Sequence, residues 1–264
     1  MEDVLTADQL SFGFSDSYYI KELSLRFKKR EVVSIIGPNG SGKSTVLRLL
    51  TRLLKPAHGA VYLEGKELHT LSSKNIAKKL TMLPQIYDHR SEMTVRDLVK
   101  FGRQPHLKWY EDYHQSHNTY IDWALEATRL TALQHRPLSS LSGGERQRAW
   151  IAMTIAQTPQ ILLLDEPTSY LDIAHQLEVM ELVQELNRSL GLTIIMVLHD
   201  LNQAARYSDQ LIAMKNGKVV RQGKPLDVYH PDFFRDVFSI EARVYSAGEY
   251  PVCEPYGVVQ ATQS

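Results

Sequence analysis

Val32-Val33-Ser34-Ile35-Ile36 runs directly into Gly37-Pro38-Asn39-Gly40-Ser41-Gly42-Lys43-Ser44-Thr45, and that loop into Val46-Leu47-Arg48-Leu49-Leu50. A strand-length apolar run, a glycine loop closing on Lys-Ser-Thr and an apolar helical segment follow in the order a phosphate-binding loop requires. Glycine permits the tight turn, and the backbone N–H groups it exposes can surround a β-phosphate. Lys43 is placed to reach β- and γ-phosphate oxygens, and the Ser44 hydroxyl to ligate magnesium. The candidate ATP contacts in this stretch are Gly37, Asn39, Gly40, Ser41, Gly42, Lys43, Ser44 and Thr45.

Ile161-Leu162-Leu163-Leu164 reads as a parallel strand buried on both faces. Asp165 and Glu166 stand at its carboxyl end, where open α/β sheets place their ligands. Adjacent carboxylates on an extended strand point in opposite directions, so the pair is expected to divide two tasks. Asp165 is the candidate to hold magnesium through water, and Glu166 the candidate catalytic group that polarises the attacking water.

Between these two stretches lies Leu141-Ser142-Gly143-Gly144-Glu145-Arg146-Gln147-Arg148. Ser142 followed by Glu145 is a capping box, in which hydroxyl and carboxylate each satisfy an orphan backbone donor. Trp150, Ile151, Met153 and Ile155 recur at helical spacing, which predicts a helix starting at Ser142. Two glycines in its first turn admit close approach, and the exposed N–H groups and helix dipole favour an anion. Local physics leaves two readings open, a second phosphate contact or an ordinary capped helix.

Phosphate loop, Leu-Ser-Gly-Gly stretch and acidic strand end, in that order, resemble the nucleotide-binding subunit of ABC transporters, and the resemblance runs to about Pro225. Gln85, in Leu83-Pro84-Gln85, resembles the Q-loop glutamine that contacts magnesium and the catalytic water while coupling to the membrane subunits. His199, after Thr193-Ile194-Ile195-Met196-Val197-Leu198, resembles the switch histidine on the γ-phosphate. Ser169-Tyr170-Leu171-Asp172 resembles the D-loop, with tyrosine where alanine is common, and makes Asp172 a further ATP candidate. Phe14 falls where the family stacks an aromatic ring on adenine, although Tyr18 and Tyr19 are near enough to substitute.

The fold this resemblance implies is α/β: an ABC-type P-loop NTPase with a RecA-like core, an antiparallel β subdomain and an inserted helical subdomain at about 88–158. Residues 1–225 would form the ATPase domain and 226–264 a C-terminal appendage. Short antiparallel strands are expected before residue 30, a hairpin from Gly59 to Gly65, and helices at Val95 to Phe101 and Tyr120 to Thr128. The implied mechanism is a head-to-tail homodimer. Each ATP, with its Mg2+, would lie between Lys43 and Asp165 of one copy and Ser142, Gly143 and Gly144 of the other.

Composition fits such a subunit. With 264 residues, 43% of them hydrophobic, the chain can bury a sizeable core. Thirty basic and thirty acidic side chains give a net charge of zero, without the electrostatic footprint of a nucleic-acid partner. A single cysteine, Cys253, excludes an internal disulfide. No apolar run approaches the roughly 20 residues of a membrane span, so spanning partners must be separate chains. The expected location is peripheral, on the cytoplasmic face of the cell membrane. His114 and His117 lack a third ligand at metal spacing, and Trp109-Tyr110-Glu111-Asp112-Tyr113 reads as local packing.

A soluble ABC ATPase acting on DNA or ribosomes is the other class of function. DNA-acting members separate phosphate loop and signature by a long coiled coil, for which the interval from Ser44 to Leu141 leaves no room. Ribosome-acting members carry two ATPase domains, and this chain has one. For cargo, Met93-Thr94-Val95-Arg96-Asp97-Leu98-Val99, Gly102-Arg103-Gln104-Pro105-His106 and Asp172-Ile173-Ala174-His175-Gln176 are similar to importers of ferric siderophores, vitamin B12 and haem. The similarity is greatest to the ferric siderophore members, which implies a permease of the iron-siderophore and B12 type. An extracytoplasmic substrate-binding protein would be met only through that permease.

Overall fold

The computed structural model describes residues 2–14, 17–85, 92–107 and 115–259, with backbone alone for Phe14, Ser17, Tyr18, Gln115 and Ser116. The candidate adenine ring Phe14, its alternate Tyr18, His114 and the run Trp109–Tyr113 therefore lie outside the described side chains.

In chain order the elements begin with β1 (Asp3–Phe14), β2 (Ser17–Lys28), β3 (Val32–Ile36), α1 (Lys43–Leu50), β4 (His58–Leu63) and β5 (Lys66–Glu67). Next come α2 (Ser73–Ala77), β6 (Leu80–Leu83), α3 (Val95–Phe101), α4 (Gln115–Ala127), α5 (Gly143–Ala156), β7 (Ile161–Asp165) and α6 (Ile173–Leu190). The chain continues through β8 (Thr193–Val197), α7 (Leu201–Tyr207), β9 (Gln210–Lys215) and β10 (Lys218–Gly223). It closes with α8 (Pro225–Val228), α9 (Pro231–Phe238), β11 (Ile240–Ala247) and β12 (Tyr250–Val258). Two compact units result, one of residues 1–68 and 195–264, the other of residues 69–194, with the division inside β8.

In the first unit, an antiparallel sheet has the order β2-β1-β4-β5. Its register sets Leu5 opposite Phe27 and Leu63, and Ala7 opposite Leu25 and Val61, so these buried side chains share one face of the sheet. The expected hairpin is β4 and β5, which turn through Gly65. β1 and β2 are longer than the short strands expected, at twelve residues each. Register shifts along the pair absorb the twist that a ribbon of that length accumulates.

The same unit holds β10-β9-β3-β8, where β3 pairs parallel with β9 and is buried along its whole length. Residues beyond Pro225 dock on α7: the Asn202 side chain donates to Cys253 O at 3.1 Å and accepts from Cys253 N at 2.8 Å. Tyr229 Oη donates to Leu201 O at 2.6 Å. Cys253 is buried, which pushes its thiol up to about 11 and leaves it little thiolate to react with.

In the second unit, β6 and β7 pair parallel, Leu80 opposite Ile161 and Leu83 opposite Leu164, with β8 starting beside β7. Helices α3, α4 and α5 bury Val95, Leu98 and Val99, then Ile121, Ala124 and Leu125, then Ala149, Ile151, Ala152 and Ile155. The predicted helix at Val95 to Phe101 is α3, and the one expected at Tyr120 to Thr128 is the C-terminal part of the longer α4, which ends one residue earlier at Ala127.

Candidate functional site

The phosphate loop belongs to the first unit. It leaves β3 at Gly37 and enters α1 at Lys43, with Gly37 at φ 149° and Gly40 at φ 77°. A Cβ on Gly37 would sit 2.1 Å from Met214 O, so the loop lies against β9 more closely than any side chain allows. Lys43 is buried, and its Nζ donates to Gly37 O at 2.8 Å and Pro38 O at 3.1 Å, which holds the positive charge against the loop backbone. No acidic residue stands in the first turn of α1, so its N-terminal dipole keeps its affinity for anions. Ser41 Oγ is buried with no hydrogen-bond partner among the described residues, a donor available to a phosphate oxygen.

His199 follows β8, the strand next to β3. Leu198 N donates to Ile35 O at 3.3 Å, which sets this exposed histidine and the phosphate loop at neighbouring strand ends. Asp200, beside it, caps α7 by accepting from Gln203 N at 2.9 Å.

The acidic pair belongs to the second unit. Asp165 ends the buried β7 and is itself buried. Glu166 departs from the sequence expectation: the pair is not an extended dipeptide, because Glu166 turns left-handed at φ 53°. Glu166 Oε2 accepts from Gln85 Nε2 at 3.0 Å and from Ser169 Oγ at 3.0 Å, and Glu166 O accepts from Ser169 N at 3.2 Å. Two candidates far apart in sequence, Gln85 and Glu166, are thus in direct contact.

Signature stretch and D-loop share the second unit. α5 starts as predicted, with Ser142 as N-cap: Glu145 N donates to Ser142 Oγ at 3.2 Å and Ser142 N to Glu145 Oε2 at 2.8 Å. The Ser142 backbone bond, above all, holds the Glu145 carboxyl below the usual carboxylate range. Asp172 caps α6, accepting from His175 N at 2.9 Å. That bond and the one from the His175 ring lower the Asp172 carboxyl as well.

Residues 20–169 match the family described as ABC transporter. A petrobactin import ATP-binding protein of Bacillus anthracis is 49% identical over 252 residues, 96% of this chain and 93% of that protein. An iron(3+)-hydroxamate import ATP-binding protein of Bacillus subtilis is 44% identical over 97% of this chain and 96% of its own length. The chain belongs to the ABC transporter family. Among solved structures, an inward-facing metal-chelate type ABC transporter superimposes with a TM-score of 0.84 at 25% identity, over 97% of this chain and 98% of that one.

Membership in the ABC transporter family gives the motifs their names, and the coordinates add what motif reading missed. Beyond its place in the D-loop, Ser169 holds the Glu166 carboxylate through its hydroxyl. The stretch Gly102-Arg103-Gln104-Pro105-His106 has a local purpose, which is to close the C-terminus of α5. Buried Arg103 donates through Nη1 to Ala156 O at 2.5 Å, its guanidinium lies 4.1 Å above the Tyr120 ring, and His106 Nε2 bonds Gln157 O at 2.8 Å. Arg103 Nε also reaches His117 Nδ1 at 3.4 Å, which gives that histidine a place in the helical packing. Only the spacing of a buried cation from the last turn of α5 could have signalled this, and spacing alone does not carry it.

Proposed function

We propose that this chain is the ATP-hydrolysing subunit of a ferric siderophore importer, working at the cytoplasmic face of the membrane on separate permease chains. The observation that carries the enzymatic half is the Glu166 carboxylate at the end of a buried strand, held by Gln85 and Ser169. The cargo half is supported by two relatives named for petrobactin and iron(3+)-hydroxamate import. No helix among the described residues is long and apolar enough to cross a membrane.

In this reading Gly37, Asn39, Gly40, Ser41, Gly42, Lys43, Ser44 and Thr45 bind the ATP phosphates, and Phe14 the adenine. Glu166 takes the proton of the attacking water, Gln85 orients that water, and His199 reaches the γ-phosphate. Ser44, Asp165 and Gln85 offer a hydroxyl, a carboxylate and an amide oxygen, a hard donor set that suits Mg2+ and leaves room for phosphate and water ligands. No cluster of three or more His, Cys, Asp or Glu able to hold a metal exists among the described residues. Bound there, Mg2+ would neutralise charge on the β- and γ-oxygens.

The reading also makes the active form a homodimer. Ser142, Gly143, Gly144 and Asp172 are offered to the nucleotide of the second copy, with the glycine pair at the start of α5 admitting close approach. Tyr170 and Ile173, apolar and 83% and 77% exposed, give that copy surface to cover.

Two measurements test the proposal. Glu166→Gln should lower phosphate release by at least about 100-fold while ATP binding persists, because an amide cannot take the proton. Turnover at the wild-type rate would remove Glu166 from its assigned role. A deletion strain supplied with single iron sources should lose growth on a ferric siderophore and keep it on haem. Loss confined to haem or vitamin B12 would reassign the cargo.

A further inference from the structure

One side chain joins the signature helix to the D-loop. His175, in the first turn of α6, sets Nδ1 2.8 Å from both Asp172 oxygens, while its backbone N–H donates to Asp172 Oδ1 at 2.9 Å. A carboxylate only accepts, so the ring carries a proton on Nδ1. On the other flank of Cγ, the Cδ2 edge lies on Gly144. A Cβ built at Gly144 would fall 2.2 Å from Cδ2 and 2.7 Å from Cγ. Gly144 is not among the residues of positive φ, so the helix backbone does not require glycine there; the imidazole does.

Neighbouring contacts make the joint stiff. A Cβ on Gly143 would meet Leu171 Cδ2 at 3.1 Å, and Gln176 Nε2 donates to Leu171 O at 2.9 Å. Farther along, Arg148 of α5 pairs with Glu178 of α6 at 2.5 Å.

We propose that His175 is a positioning residue for ATP hydrolysis, keying the D-loop to the N-terminus of the signature helix so that Asp172 and Gly143–Gly144 meet nucleotide as one element. The inference rests on the reading of those residues as contacts offered to a second copy. Removing the ring leaves the backbone cap of α6 in place, because that bond uses the His175 N–H. The fold is therefore kept while the key is lost. Asparagine can serve as a substitute key: its Nδ2 takes the place of Nδ1 toward Asp172, and its Oδ1 the place of Cδ2 beside Gly144.

The test is steady-state hydrolysis of Mg-ATP by the full-length chain. His175→Ala should lower kcat about tenfold with KM changed less than about twofold, since misplacement and not binding is at fault. His175→Asn should recover kcat to within about threefold of wild type. Gly144→Ala should lose activity by clashing with the ring, and adding His175→Ala should raise it again. A His175→Ala kcat within twofold of wild type, or a double variant no better than Gly144→Ala, overturns the proposal. If His175→Ala does not fold, His175→Asn decides the matter: kcat within about threefold of wild type supports the proposal, and a loss of about tenfold or more overturns it. Absence of Lys43-dependent hydrolysis in the wild type would instead sink the underlying ATPase reading, whatever His175 does.

Discussion

Gln85 Nε2 donates to Glu166 Oε2 at 3.0 Å across 81 positions of sequence, and this bond fixes where the Glu166 carboxylate points. The end of β6 and the end of β7 are parallel neighbours, so the two side chains are brought together by strand pairing and not by a flexible approach.

Gln85→Ala follows as a graded lesion. Ser169 remains to hold the carboxylate, so kcat should fall about tenfold and not vanish, while ATP affinity stays within about twofold. Adding Ser169→Ala should deepen the loss by more than the sum of the two single effects, because both donors serve one oxygen. Phosphate release and fluorescent-nucleotide titration, measured on all three variants, check this. Unchanged kcat in Gln85→Ala would mean the bond does not position the carboxylate in the turnover state.

The phosphate loop separates two costs of losing a glycine. Gly40→Ala meets no atom within 4 Å and bears only the strain of φ 77°, about 1–2 kcal/mol. Gly37→Ala bears that strain and also drives Cβ to 2.1 Å from the Met214 carbonyl, backbone that cannot move without disturbing β9. Thermal unfolding should show a drop of a few degrees for Gly40→Ala and a much larger one, or failure to fold, for Gly37→Ala. Equal losses would show that the contact with Met214 yields freely.

Much of this architecture is legible in the sequence because its signals are local. The buried run Val32–Ile36, the capping box of Ser142 and Glu145, and the apolar run Ile161–Leu164 each carry their own structure within a few residues. What stays hidden depends on distant partners. Glu166 departs from the strand because of the turn it makes toward Ser169, and alternation rules do not foresee a left-handed residue there. That Gly144 also makes room for His175, on another helix, is not legible in the sequence. Arg103 and His106 stand out in sequence only through their segment's similarity to siderophore importers, and they prove to bond the carbonyls at the end of α5.

His106 supplies a pH dependence with a definite sign. Burial, the largest influence, holds its imidazole below the ordinary value of 6.5, and the Arg103, Lys78 and His117 charges act the same way against the bond to Gln157. The unfolded chain then takes up the proton before the folded one does. Stability from this site is complete above about pH 6.5 and declines as pH falls through and below that value, levelling once the folded form also protonates. Midpoints of thermal unfolding at about pH 7.5 and 5.5 should therefore differ more for wild type than for His106→Gln. A variant with the same drop as wild type would assign the pH dependence to other groups.

Ser142 allows its cap to be separated from its proposed contact with the second copy. Aspartate caps a helix as well as serine does, so Ser142→Asp should unfold within about 0.5 kcal/mol of wild type, whereas Ser142→Ala should lose about 1 kcal/mol. The same aspartate puts a carboxylate where a γ-phosphate is to arrive, so nucleotide-driven dimerisation should disappear in Ser142→Asp and in the bulky Ser142→Arg. ATP binding to the monomer should stay at the wild-type level in both, because the proposed phosphate contact lies in the other copy's site. Sedimentation of the Glu166→Gln background with ATP, with and without each Ser142 change, reads the dimer directly. A large loss of monomer affinity would put Ser142 in its own copy's site, and a dimer that still forms with Ser142→Asp would remove it from the interface.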